Sequence, residues 1–344
     1  MRRAPWLPEL VGPIAFVALL AATSGLWASS ADQVKYQNAL VYVALVAALY
    51  VFVGNSGVIS FGQVSFVAVG AFSSGVMTIP LDSKPGVLST LFPLLRDHSI
   101  SNFWSLVLAA GLGGVYAFVV GIPLMRLSGI AAGIATLAVL GITYNILTYW
   151  DSIGPGATTL SLIPTTTDYW QATLGAVAVI TVAFAYQRSR FGRQLRAARE
   201  DPAAARAAGI DIHRQRLLAF TLSGFLSGFA GGLYVHLFGS ISTNDVYLDL
   251  TFLTLAMLVI GGISSLFGAV VGAIAISLFT ILLGNAEEGI HVFGWGISAP
   301  AGTKLVGVAL VMLAILLVRP SGITGGREFS IPWTLLRRPL SSRS

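Results

Sequence analysis

From Tyr36 to Leu81 the chain contains no residue that titrates near neutral pH, and the same holds for 103–125, 127–150 and 250–286. A helix needs about 20 apolar residues to cross a hydrocarbon layer roughly 30 Å thick. Stretches this long and this bare of charge exceed what a water-soluble core can hide. Lipid offers no hydrogen bonds, so the backbone must satisfy its own, and uncharged spans of this kind form helices. The fold class that follows is all-α, a polytopic membrane protein. Only 10% of residues are charged and 55% are hydrophobic, against about 25% charged in a soluble domain. There is no cysteine, which removes disulfides, thiolate nucleophiles and cysteine-bound metals from consideration.

Charges and turn formers cut the chain into about ten apolar segments, with cores near 9–28, 38–57, 60–80, 103–125, 128–150, 170–187, 217–238, 250–266, 268–284 and 303–318. The first imitates a secretory signal, with Arg2 and Arg3 ahead of it and small residues from Ala28 to Ala31; with so many spans following, a retained first helix is expected. The eighth and ninth are short and joined by GGISSLFG, which leaves a re-entrant hairpin or broken helix open there. With ten spans and the N-terminus inside, only Lys35, Lys84, Arg96 and Lys304 of the 20 basic residues lie outside. That asymmetry predicts cytoplasmic N- and C-termini and accounts for the formal charge of +6 without nucleic acid. Residues 1–320 read as one transmembrane domain. Residues 321–344 read as a cytoplasmic tail, disordered or lying on lipid through Trp333, Leu335 and Leu336.

Proton-coupled carriers place Asp, Glu or His inside the membrane, and hydrolases need a nucleophile with its base or a set of metal ligands. The spans hold neither, His236 near the outer end of the seventh being the one titratable exception, read as an interfacial histidine. No metal site and no cofactor of the chain's own is expected. Small residues recur instead. Gly224, Gly228 and Gly232 share one helix face, and Gly129–Gly133 and Gly268–Gly272 repeat the spacing, which suits close packing of helices. Uncharged polar residues gather at the glycine-interrupted join of the second and third segments, with Asn55, Ser60 and Gln63, and in the fifth, with Thr136 and Asn145. Interhelical hydrogen bonding is the plain reading, and lining a solute path is the functional one.

One stretch breaks the pattern. RSRFGRQLRAAREDPAAARAAGIDIHRQR (188–216) is dense in arginine. Asp201 suits a helix N-cap, Pro202 the first helical position and Gly209 the left-handed residue past the end. The alanines between them give a helix of about two turns, marginal alone and suited to a groove on a partner, with Arg193 and Arg196 available to pair with acidic groups at its rim. A basic loop kept inside by charge, or a patch on anionic lipid, are the competing readings.

This stretch resembles the coupling loop of ABC-importer permeases: Ala204, Ala205 and Gly209 match its two small residues and its glycine, while Ala203 stands where the usual glutamate would be. The flanking LAFTLSGFLSGFAGGLYVH, together with SFGQVSFVAVGAF, GPGATTLSLIP, GGISSLFGAVVGA and RPSGITG, resembles in order the M-type subunit of the branched-chain amino acid permease family. The resemblance runs from about residue 50 to 325. It implies a type II importer-like bundle in the cell membrane of a prokaryote, working with two ATP-binding-cassette ATPases, a second permease (H-type or another copy) and an extracytoplasmic binding protein. ATP would be bound by the partners, and the chain indeed has no Walker A signature. The solute expected is a branched-chain amino acid or a related small molecule. An ion-coupled secondary transporter and a passive channel are the alternatives, the first requiring a charged site that the spans lack.

Overall fold

The computed structural model describes residues 7–27, 30–88, 91–288, 290–292, 295–297, 300, 302–319 and 321–329. Arg2, Arg3, Ala28, Trp333, Leu335 and Leu336 fall outside them, as do the last tail arginines and the side chain of Lys304. In chain order the helices are α1 (Leu7–Trp27), α2 (Ser30–Ser56), α3 (Gln63–Thr78), α4 (Lys84–Val87), α5 (Pro93–Arg96), α6 (Asn102–Leu124), α7 (Gly129–Tyr149), α8 (Tyr169–Arg188), α9 (Arg190–Glu200), α10 (Pro202–Ala207), α11 (Ile212–Phe238), α12 (Leu248–Gly261), α13 (Leu266–Glu288) and α14 (Thr303–Val318). Each of the ten apolar segments coincides with a helix. Seven helical stretches are long and apolar enough to cross a membrane, and Glu9–Ala22, Gln63–Thr78 and Val306–Ile315 are shorter apolar helices.

Three features depart from the pattern read in the sequence. A small antiparallel ribbon, β1 (Ile290–Val292) with β2 (Trp295–Ile297), follows α13; its trace in the sequence is the β-branched and aromatic run IHVFGWGI. The third segment, read as a span from residue 60, begins its helix only at Gln63 and is 16 residues long, about 24 Å at 1.5 Å per residue. The six residues before it, 57–62, are not helical. The ninth segment, read as short, extends to a helix of 23 residues, so α13 has the length of a full span.

α2 is the centre of the bundle, its side chains from Leu45 to Ser56 almost entirely buried. Phe52 meets Phe220 edge to face at 5.0 Å, and Phe220 meets Phe66 at 5.2 Å, joining α2, α11 and α3. α11 packs between α3 and α6 through its small residues. A Cβ on Gly228 would lie 2.3 Å from the Ala109 carbonyl oxygen, and one on Gly70 would lie 2.2 Å from that of Gly228. Gly224 faces Ala117 and Gly113, and Gly232 faces Leu106. Gly268 and Gly272 press on Gly261 and Met257 in the same way. Gly129 differs from the packing read for it. It opens α7 at φ 59° with open space where a side chain would be, so its conformation is what calls for glycine.

Exposed apolar side chains cover the outside of α6, α7 and α8. Trp104, Tyr149, Trp150 and Trp170 are exposed at one end of these helices, in the manner of an interfacial aromatic belt. The 188–216 loop lies at the other end, termed here the basic end. There Arg188 at the close of α8 pairs with Glu9 at the start of α1. Replacing Gly228 by valine is expected to destabilise the bundle by about 1–3 kcal/mol through overpacking, read as a lowered unfolding midpoint in detergent, whereas Gly111→Ala, with nothing near its Cβ position, should leave that midpoint in place.

Candidate functional site

The basic loop folds as two capped helices. Ser189 accepts a hydrogen bond from the Gly192 amide at 3.2 Å and opens α9. Asp201 closes α9 and accepts from the amides of Ala203 (2.8 Å) and Ala204 (3.0 Å), with Pro202 in the first turn of α10. Gly209 takes φ 77° just past its end. The cap, proline and glycine pattern of the sequence is therefore realised in the backbone. α10 is held by a single inward side chain: Ala205 is buried with Ala198 of α9 and Ile212 of α11. Ala203, Ala204, Ala207 and Ala208 are exposed.

The residues assigned to the loop's docking role take different positions. Arg193, Asp201, Ala204 and Gly209 are exposed. Ala205 faces its own protein. Arg196 also turns inward, donating to the Gln187 carbonyl at 2.6 Å. Arg199, which nothing in the sequence singles out, donates to the Gly54 carbonyl at 2.7 Å.

Gln187 belongs to a network that joins four parts of the chain. Its Oε1 accepts from the Tyr50 hydroxyl at 3.0 Å, and its Nε2 donates to Glu328 Oε1 at 2.9 Å. Glu328 in turn accepts from the Leu266 amide (2.9 Å), the Phe267 amide (3.2 Å) and the Ser265 hydroxyl (3.2 Å). A few residues earlier the Ile323 amide donates to the Ile260 carbonyl at 2.7 Å, and Thr324 Oγ1 donates to that of Gly261 at 2.8 Å. Residues 321–329, grouped with the tail in the sequence, thus lie on the α12–α13 turn. They supply donors to the end of α12 and an acceptor to the start of α13, the groups that every helix end leaves open. Nothing in the sequence marks Glu328 for this, because the α13 groups it meets lie some sixty residues away and Gln187 further still.

At the interrupted span, Asn55, Ser60, Gln63 and Thr136 are all buried. Asn55 donates to the Val51 carbonyl at 3.0 Å. Gln63 Oε1 accepts from Ser223 of α11 at 3.2 Å. Thr136 Oγ1 accepts from the Phe61 amide at 3.1 Å and donates to the Gly133 carbonyl at 2.7 Å. Asn55 Oδ1, Ser60 Oγ and Gln63 Nε2 find no partner among the described residues. Such atoms each cost about 1–3 kcal/mol when buried dry. Asn145 stands apart, exposed on α7 and bonded to the Gly141 carbonyl at 2.7 Å, about 13 Å along the helix from Thr136.

Toward the end opposite the basic loop, α3, α6 and α7 enclose an apolar cavity of about 590 Å³ bordered by Phe72, Met77, Leu108, Tyr116 and Ile146. His236, read in the sequence as interfacial, is fully buried: Nε2 lies 2.9 Å from the Ser74 hydroxyl and Nδ1 2.9 Å from the Pro164 carbonyl. Lys84, on the short helix α4, is also fully buried, donating to the carbonyls of Leu95 and His98. Its loss of solvation holds its pKa below the usual lysine value. Among the described residues no three of His, Cys, Asp or Glu gather as metal ligands would.

A helical bundle with an aromatic belt, an interrupted span and a capped basic loop at one end defines an integral membrane protein of the transporter kind. The model of the branched-chain amino acid transport system permease component matches residues 36–318, and the chain belongs to that family. It is 28% identical over 284 residues to the high-affinity branched-chain amino acid transport system permease protein LivM of Escherichia coli K12, covering 72% of this chain and 63% of that one, so it spans less than two-thirds of that relative's length. It is 26% identical over 307 residues to a probable branched-chain amino acid transport permease protein LivM of Methanocaldococcus jannaschii, covering 81% and 89%. It is also 25% identical over 264 residues to the nucleoside ABC transporter permease protein NupC of Lactococcus lactis, covering 73% and 80%. No solved structure matches.

Removing the Glu328 carboxylate strips the first turn of α13 of its acceptor. Glu328→Ala is expected to cost about 0.5–2 kcal/mol, the range for a lost N-cap, and thermal unfolding in detergent measures it.

Proposed function

We propose that this chain is a permease subunit of an ATP-binding-cassette importer, a multi-pass protein of a prokaryotic cell membrane with ten spans and both termini on the cytoplasmic side. In this reading residues 1–320 form the permease domain and the basic end faces the cytoplasm. The observation that carries it is α10. A six-residue helix cannot persist alone, yet this one is capped at both ends, anchored by one alanine and otherwise bare. Such a helix is built to enter a partner's groove. The partner is an ATPase, two copies of which would drive the assembly, since this chain carries no nucleotide signature. Arg193 and Ala204, exposed on the loop, are the residues placed to touch it. The chain is a transport component and not an enzyme, and it holds no cofactor of its own.

A second permease, H-type or another copy, would complete the path, and a binding protein would deliver solute to the far end. The solute class favoured is branched-chain amino acids or related small molecules; relatives named for nucleosides keep the second part of that class in play. The unpartnered atoms of Asn55, Ser60 and Gln63 support a place for the α2–α3 join on the path, because buried polar groups without protein partners are tolerated where water or solute passes. An ion-coupled carrier would need ionisable groups in the spans, and the buried His236 is already engaged by Ser74 and Pro164.

The test is a tagged purification from gently solubilised membranes, comparing the native chain with Ala205→Glu, Gly209→Trp. The substitutions force a charge between α10 and α9 and a bulky side chain onto a left-handed position. ATPase subunits should accompany the native chain and be lost from the variant, with the unfolding midpoint of the spans little changed. A native chain that retains no ATPase in any mild detergent makes the loop a topological feature only and returns the carrier and channel readings.

A further inference from the structure

We propose that Arg199 is the positioning residue that ties the docking helix to the interrupted span, so that movement of α10 is delivered to residues 57–62. The inference rests on the reading of α10 as the ATPase-docking helix. It begins with the way α10 is seated. Its one buried side chain, Ala205, lies against Ala198 of α9 and beside Ile212 at the start of α11, so α10 is seated on α9 and on the root of α11. α9 is itself fixed to the bundle by Leu195, which is buried, by Arg196 on the Gln187 carbonyl, and by Arg199 on that of Gly54.

The third of these attachments differs from the others in what it reaches. Gly54 lies in the last turn of α2. Its carbonyl would accept from the Val58 amide if the helix continued, but that amide turns to Ser56 Oγ at 3.1 Å. Gly57 ends the helix at φ 70°, its amide on the Val53 carbonyl. The Arg199 guanidinium takes the place of the missing helical donor, and a cation is favoured there by the helix dipole. The Arg199 stem lies over Gly57: a Cβ there would come within 3.0 Å of its Cγ and Cδ. Arg199 therefore grips the point at which the chain leaves α2. The carboxylate of Glu200 lies 3.8 Å away and is exposed, too solvated to draw the guanidinium off.

The far end of the join is also held, by Thr136 of α7 on the Phe61 amide. A six-residue, non-helical stretch thus runs between two clamps, one on the docking block and one on α7. Coupling between distant sites travels through packed contacts and elements with two arrangements. The contacts from Ala205 through Ala198, Arg199 and Gly57 to Phe61 and Thr136 form such a line, and beyond Gly57 the amides of Val58 and Phe61 turn to the side chains of Ser56 and Thr136 instead of to helical carbonyls. Arg196, by contrast, anchors α9 to the end of α8, a continuous helix, and serves as the fixed side.

The absence of cysteine allows a direct reading. Ile59 is 47% exposed within the join, so Ile59→Cys gives the chain a single thiol. In the complete assembly in nanodiscs, its labelling rate with N-ethylmaleimide is measured without nucleotide and after trapping with ATP and vanadate, the label being read on this chain by mass. The native background should show different rates in the two states. Arg199→Ala should lose that difference while the ATPases remain bound, and Arg199→Lys, which keeps a donor and a charge, should restore part of it. A difference that survives Arg199→Ala overturns the proposal, as does a native background without a difference although ATPases are bound. If Arg199→Ala fails to assemble, Arg199→Gln, too short to reach the Gly54 carbonyl, reads the same comparison. A native chain that binds no ATPase instead brings down the docking reading, and this inference with it.

Discussion

Hydrocarbon supplies no hydrogen bonds, and wherever a span is interrupted the protein must supply them itself. The structure is organised around that obligation. At the end of α2 the open carbonyl of Gly54 is met by Arg199, and the amide of Phe61, three residues before Val64, is met by Thr136. At the α12–α13 turn the carbonyls of Ile260 and Gly261 and the amides of Leu266 and Phe267 are met by residues 323–328. Each repair comes from a distant part of the chain. Each therefore ties two regions together that sequence order keeps apart.

The glycines of α11 perform the complementary task. Backbone contact at Gly70, Gly113 and Gly228 brings α3, α6 and α11 close enough for the aromatic rings of Phe52, Phe66 and Phe220 to interlock beside them. Helices in lipid gain little from hiding apolar surface from one another, so packing contact and interhelical hydrogen bonds must hold the bundle. With α2 enclosed and α7 partly exposed, the interrupted join lies between a rigid core and a looser outer helix. A region that must change shape during transport is expected to lie at such a boundary.

The helical fold was legible in the sequence because its signal is compositional. Long apolar runs poor in charge have one stable solution in a bilayer, and each of the ten coincides with a helix, seven of them long and apolar enough to cross. The caps of α10 were legible for a similar reason: Asp201, Pro202 and Gly209 act within a few residues of themselves. The faces of α10 were less so. Ala204 and Ala205 are identical in the sequence, yet one is exposed and the other packs on Ala198, because only the seating of α10 on α9 tells them apart. Arg196 and Arg199 were likewise indistinguishable from the other arginines of the loop, as their partners are backbone carbonyls that carry no residue identity. His236 was placed at an interface from its position near a helix end, whereas Ser74, Ser105 and the 164 carbonyl close around it.

By itself, then, the sequence determined the apolar helices, the basic end and the local shape of α10, since each follows from interactions within one turn or one segment. The tertiary structure decided which arginine caps α2, that Glu328 belongs to α13, and that four of the five polar residues read as path candidates meet at one join while Asn145 does not. These are contacts between residues far apart in the chain. Their energies depend on distance and burial, quantities that exist only once the helices have packed.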